Sequence, residues 1–267
     1  MVDTTALYLR LVGARLRSQL QYRASLALES VGQVLVGCLD FAAILVLFHN
    51  VRALGEWTVA EVALLFGLSG LAFSLTDAAT GNLDRLPQLI RDGNFDLVLV
   101  RPRGTLFQVA TSDFQLRRFA KAVLALGVLG YAFAANDIAW TVPRVLVLLV
   151  AIPSGIVVFT GVWVTVICIV FWVVEGTETA NTFTYGGQYL AQYPINIFDE
   201  WLRRFLAYLV PTAFVIYFPA LYILDKPDPL GLPRFLQFLS PLAAVAAALV
   251  AAAAWRTAVR HYQSAGG

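Results

Sequence analysis

Three groups of residues carry side chains able to do chemistry in an otherwise apolar chain. Asp40 lies well inside an apolar run, where an ionised carboxylate costs at least about 2.5 kcal/mol. Such an acid serves as a cargo or proton site, or as a protonated or hydrogen-bonded structural acid at a helix contact. The stretch EGTETANTFTYGGQYLAQYP, residues 175–194, mixes Glu175, Glu178 and Asn181 with Tyr185, Tyr189 and Tyr193. It fits the lining of a cargo entrance, and equally an interfacial belt of amphipathic aromatics. The third group is RDGNFDLVLVRPRGTLFQ, residues 91–108, a charged segment set between long apolar runs. Its chemistry is that of a docking surface, charged at the rim with a few apolar side chains, or of an arginine anchor for anionic lipid headgroups.

Other chemistries find no support in the residue types. His49 and His261 are the only histidines, Cys38 and Cys168 the only cysteines, and the cysteines read as small apolar core residues. No HExxH, no CxxC and no pair of intramembrane carboxylates at helical spacing occurs, so neither a metal site nor a catalytic set is expected. A phosphate-cradling loop needs Gly-Lys followed by Ser or Thr, but Lys121 follows Ala120 and Lys226 follows Asp225. The chain is not expected to hydrolyse ATP. Glu29, Glu61 and Asp77 fall near the ends of apolar runs and can reach an interface without a special role.

These groups must be positioned by elements that cross a membrane. The 267 residues are 59% hydrophobic and only 13% charged, with a mean hydropathy of +0.73; a soluble domain is roughly a quarter charged. Spans of about 20 residues cover about 30 Å of hydrocarbon, and six are expected, at about 26–49, 58–78, 119–135, 142–174, 203–223 and 236–256. Pro153 and Gly155 should bend the fourth. Before the first span, Tyr8, Val12, Leu16 and Leu20 recur every four residues with Arg10, Arg17 and Gln21 opposite, the pattern of an amphipathic interfacial helix over residues 1–25. No cleavable signal peptide is visible at the N-terminus.

Charge placement sets the orientation. With a cytoplasmic N-terminus, the inner connections hold Arg10, Arg15, Arg17, Arg23, Arg85, Arg91, Arg101, Arg103, Arg117, Arg118, Lys121, Arg203, Arg204, Arg256 and Arg260, against Arg52, Arg144, Lys226 and Arg234 outside. That bias predicts a multi-pass protein with both termini in the cytoplasm, and the arginine- and alanine-rich composition fits the inner membrane of a bacterium. One permease domain is expected to take up the whole chain.

The inner connection over 79–118 keeps placing Leu83, Leu86, Leu89, Ile90, Phe95, Leu97, Val98, Leu99 and Val100 among charges, so it has something to pack against. Pro87 marks a short helix start and Gly93-Asn94 its stop, with an extended piece to follow.

The run RDGNFDLVLVRP resembles the segment after the second span in permease subunits of type-2 ABC exporters, above all their six-span bacterial branch. FWVVEGTETANTFTYGGQYLAQYPINIFDEWLRRFLAYLVPTAFVIYFPALYIL, residues 171–224, and WRTAVRHYQSAG, residues 255–266, are similar to the same branch. The resemblance implies an all-α polytopic permease whose segment after the second span is a coupling helix docked on a separate ATP-binding subunit. Arg91, Asp92, Gly93, Asp96, Arg101 and Pro102 would then lie on or beside that contact. It implies no cofactor in this chain, with ATP and Mg held by the partner ATPase, and a dimer with a second copy or a homologous permease. It further implies efflux of an amphipathic or lipid-like cargo, with membrane lipid and no nucleic acid as surroundings; by their own chemistry, Asp40, Glu175, Glu178, Asn181 and Tyr185 are the candidates for its path. The alternative is an ion-gradient-driven carrier with Asp40 as its coupling acid.

Overall fold

The computed structural model describes residues 19–50, 57–112, 115–173, 176–195, 199, 201, 211–228 and 233–263. The expected amphipathic helix over 1–25 lies outside these residues through position 18, as do Glu175 and the first part of the expected fifth span, residues 203–210. Among the described residues the fold is all helical.

α1 (Arg23–Asn50) and α2 (Val59–Thr80) are the first two long apolar helices. α2 starts at a capping box: the Glu61 amide donates to Thr58 Oγ1 at 3.3 Å and the Thr58 amide to Glu61 Oε2 at 2.7 Å, which satisfies two amide donors at the helix start. Three short helices follow: α3 (Leu86–Arg91), α4 (Phe95–Leu99) and α5 (Thr105–Ala110). The chain then rises through α6 (Phe119–Ala135) and returns along α7 (Val142–Ile167), which runs unbroken past Pro153 into a tight turn over Cys168–Phe171. α8 (Thr177–Leu190), α9 (Thr212–Val215), α10 (Tyr217–Leu224) and α11 (Ser240–Arg260) complete the order.

Among the described residues, five helical stretches are long and apolar enough to cross a membrane, Arg23–His49, Val59–Arg91, Leu116–Ala135, Val142–Phe171 and Ser240–Arg260. The described part of the expected fifth span, Thr212–Leu224, is shorter and is interrupted at Ile216, where φ is −119° and ψ −62°. α10 is nonetheless sheathed on all sides, with Tyr217, Phe218, Ala220, Leu221 and Ile223 buried.

α2 is the hub. Against it α6 runs antiparallel and buries Ala122, Ala125, Leu129 and Ala132, a spacing of three and four that keeps one small-residue stripe on one helix face. α7 and α11 pack side by side, and at Gly161 a Cβ would stand 2.9 Å from the backbone oxygen of Ala247, so only glycine allows that approach. The outer faces are apolar: Leu28, Leu35, Leu39 and Val46 on α1 and Leu242, Val245 and Leu249 on α11 are all exposed. Apolar residues on both faces of a helix mark lipid, not water, as the solvent of the outer one.

The two ends of the bundle differ. At one, the starts of α2 and α7 meet the end of α10: Lys226 Nζ lies 2.7 Å from Glu61 Oε1 and 5.1 Å from the Trp57 ring centre, and Arg144 pairs with Asp225 at 3.2 Å. The other, arginine-rich end carries the segment between α2 and α6.

Candidate coupling segment and the cluster that holds it

The segment from Gly81 to Arg118 is a chain of short helices, which corrects the extended piece expected after Gly93. Pro87 does sit in the first turn of α3, where its missing N–H costs nothing, and Gly93 makes the turn with φ +67°, a left-handed conformation that glycine adopts without strain. The chain then coils again into α4 and α5. The reason is Phe95: fully buried, it needs the backbone of Leu97 and Val98 to turn back over it, which a helical turn allows and a strand does not.

Both ends of the segment are stitched. Asn82 Nδ2 donates to the Ala110 carbonyl at 3.0 Å, closing it into a compact loop, and Gln108 Nε2 braces the Arg101-Pro102-Arg103 turn by donating to the carbonyls of Val98 at 3.0 Å and Arg103 at 2.9 Å. Arg118 Nη1 donates to the Asp77 carbonyl at 2.7 Å and lies 3.5 Å from the Asp77 carboxylate, tying the start of α6 to the end of α2.

The inward face is bound to two spans, α7 and α11, and to α8. Asp84 accepts from the indole N–H of Trp163 on α7 and from the Tyr185 hydroxyl on α8, each at 3.1 Å. Behind it Phe73 and Trp163 stack at 5.7 Å with their planes within 2°, and Tyr185 closes the group edge-on at 5.5 Å from Phe73. Phe95 rests on Phe171 at 5.4 Å and on Tyr262 at 4.9 Å. Trp255 of α11 touches Phe171 at 5.8 Å and donates its indole N–H to Thr105 Oγ1 at 2.9 Å.

The outward face differs in kind. Arg91, Asp92, Arg101 and Pro102 are exposed and Gly93 and Asp96 half-buried, with Leu97 57% and Val100 79% exposed between them. Two bare aliphatic side chains inside a charged rim have the make-up of a docking patch. All six residues singled out in the sequence lie on this segment, four of them exposed.

It separates those proposed for a cargo path. Tyr185 joins the Asp84 cluster, and the Gln188 carbonyl of the same helix accepts from Ser69 Oγ at 3.2 Å, halfway along α2. Glu178 is exposed, and Asn181 is half-buried with its Oδ1 unpartnered among the described residues.

Asp84, Trp163, Trp255 and Tyr262 hold the segment and were passed over by sequence reasoning, which read Phe95 only as one of its apolar residues. A signal existed for two of the five: Phe95 is an aromatic between Asn94 and Asp96, and Trp255 interrupts an alanine run.

Several long apolar helices with a folded, charged segment bolted beneath them define a multi-pass membrane transport component. Residues 34–266 match the family described as ABC-2 family transporter protein, and the chain belongs to that family; it is the membrane permease component of an ABC transporter. Neither the curated proteins nor the solved structures return a match to it. Family membership implies partnership with an ATP-binding subunit.

Proposed function

We propose that this permease exports an amphipathic or lipid-like cargo, driven by an ATPase that docks on the Gly81–Arg118 segment. The observation that supports this is the segment's two-sidedness: Leu97 and Val100 stand bare between Arg91, Asp92 and Arg101, while Phe95, Asp84 and Thr105 hold the opposite side to α7, α8 and α11. A force applied to the outward face therefore moves two spans, α7 and α11, together with α8. ATP and Mg belong to the partner, whose closure around nucleotide would push the segment and shift the bundle between states. The arginine-rich end faces the cytoplasm of a bacterium by the positive-inside rule. Two permeases, identical or homologous, form the path at their interface, and Asp40, Glu178, Asn181 and Glu175 are its proposed polar contacts. Tyr185 contributes by holding Asp84.

The test is purification of the tagged chain from its native membrane in mild detergent, followed by reconstitution of what co-purifies. A P-loop ATPase in near-equal amount, and vesicle transport that needs ATP and persists when the proton gradient is collapsed, is the expected result. Transport that follows the proton gradient and ignores ATP would replace this reading with the ion-driven carrier.

A further inference from the structure

A polar cleft of about 420 Å³ opens where α1 and α6 begin, with Gln19, Tyr22, Ser25 and Glu29 on one wall and Gln115 and Arg117 on the other. The walls are fixed to each other: the Leu116 amide donates to Gln19 Oε1 at 2.9 Å, and the turn Leu116–Arg118 packs against α1. Its depth follows from the spans. Arg23–His49 and Leu116–Ala135 are both long and apolar enough to cross a membrane, and the cleft sits at the start of each, at the arginine-rich end. That is the level of lipid headgroups.

Two opposite charges face this cleft. Arg117 Nε lies 3.5 Å from Glu29 Oε2 and donates to Gln115 Oε1 at 3.0 Å, while Ser25 Oγ donates to Glu29 Oε1 at 3.3 Å. An ion pair at that distance, with side chains 40% and 48% exposed, is weakly held, and both partners keep capacity for a ligand. The terminal amino groups of Arg117 hydrogen-bond nothing among the described residues, and a carboxylate offers about four acceptor sites.

The charges select the ligand. A bare anion drawn to Arg117 meets Glu29, and a bare cation drawn to Glu29 meets Arg117. A headgroup that carries a phosphate and an ammonium a few bonds apart satisfies both, with the phosphate on the guanidinium fork. A primary ammonium can donate to the Glu29 carboxylate and the Ser25 hydroxyl, which a quaternary one cannot. Leu28, beside Glu29, and Val123, on the second turn of α6, are exposed and offer acyl chains an apolar surface. We propose that this cleft binds the headgroup of an ethanolamine phospholipid, phosphate on Arg117 and ammonium on Glu29. The site stands apart from the coupling segment and does not depend on the exporter reading.

The experiment is native mass spectrometry of the detergent-purified protein after incubation with an equimolar mixture of phosphatidylethanolamine, phosphatidylcholine and phosphatidylglycerol of matched chains. The wild type should retain the ethanolamine lipid at least about ten-fold over either competitor. Glu29→Gln should shift the preference to the anionic glycerol lipid, because Arg117 then lacks its acid, and Arg117→Gln should lose most of the retained ethanolamine lipid. Inorganic phosphate at matched ionic strength should leave retention unchanged. Equal retention of the three lipids by the wild type, an ethanolamine preference that survives Glu29→Gln, or displacement of the lipid by inorganic phosphate would overturn the proposal. The first and last of these need no variant to fold.

Discussion

Trp163, deep in α7, donates its indole N–H to Asp84 Oδ1 at 3.1 Å, so the first turn after α2 is held by a span that follows it by some eighty positions. The carboxylate has no freedom to leave without stranding the indole or losing the Tyr185 hydroxyl on its other oxygen. Under the proposed coupling, this bond is where movement of the segment would become movement of the spans.

Trp163→Phe keeps the ring stacked on Phe73 and removes only the donor, a loss of about 1–3 kcal/mol for a hydrogen bond to a carboxylate. Transport per ATP hydrolysed should fall while ATPase association stays at the wild-type level. Coupling ratios in reconstituted vesicles, measured beside co-purification, check both halves.

Phe95→Ala should open a cavity against Phe171 and Tyr262 and cost about 3–5 kcal/mol locally. The segment, not the bundle, carries that loss. Limited proteolysis should show new cleavage between positions 91 and 105 in detergent, with the long helices still protected.

The prediction for the opposite end concerns the Glu61–Lys226 pair. Both side chains keep some exposure, 16% and 20%, so breaking the pair from one side should cost about 1–3 kcal/mol, short of the range for full burial. Glu61→Gln and Lys226→Met should each lower the melting temperature, and the double variant should recover part of the sum. Strict additivity in thermal melts would mean that the two side chains act independently.

Gly161→Leu should force α7 and α11 apart, because the new Cβ meets the Ala247 backbone and backbone cannot yield as a side chain does. Expression of folded, monodisperse protein should drop sharply. Gly127→Leu, at a position on α6 with open space, should be tolerated.

Much of this was readable before any coordinates. α6 covers Phe119–Ala135, the expected third span to the residue, because unbroken apolar runs need only length to be recognised. Pro87 and Gly93 also marked the bounds of α3 as expected, since each acts through its own backbone. What failed was tertiary. Whether LVLV after Asp96 coils or extends depends on Phe95 finding Phe171 and Tyr262, residues that approach only once the bundle closes. In the same way, nothing local in the polar pattern from Glu178 to Tyr193 announces that Ser69 donates to the Gln188 carbonyl or that Tyr185 reaches Asp84. Asp84 carried no local mark at all: one acid among arginines and leucines takes its meaning from Trp163 and Tyr185, far along the chain.

The most direct test of the account is the affinity of the ATPase for the permease carrying Val100→Asp and Arg101→Glu together, compared with wild type by co-purification at equal expression. Both side chains are exposed and hold nothing in the bundle, so insertion and thermal stability should stay unchanged while ATPase recovery falls by at least about ten-fold. Full recovery of the ATPase on a well-folded double variant would contradict docking at this segment.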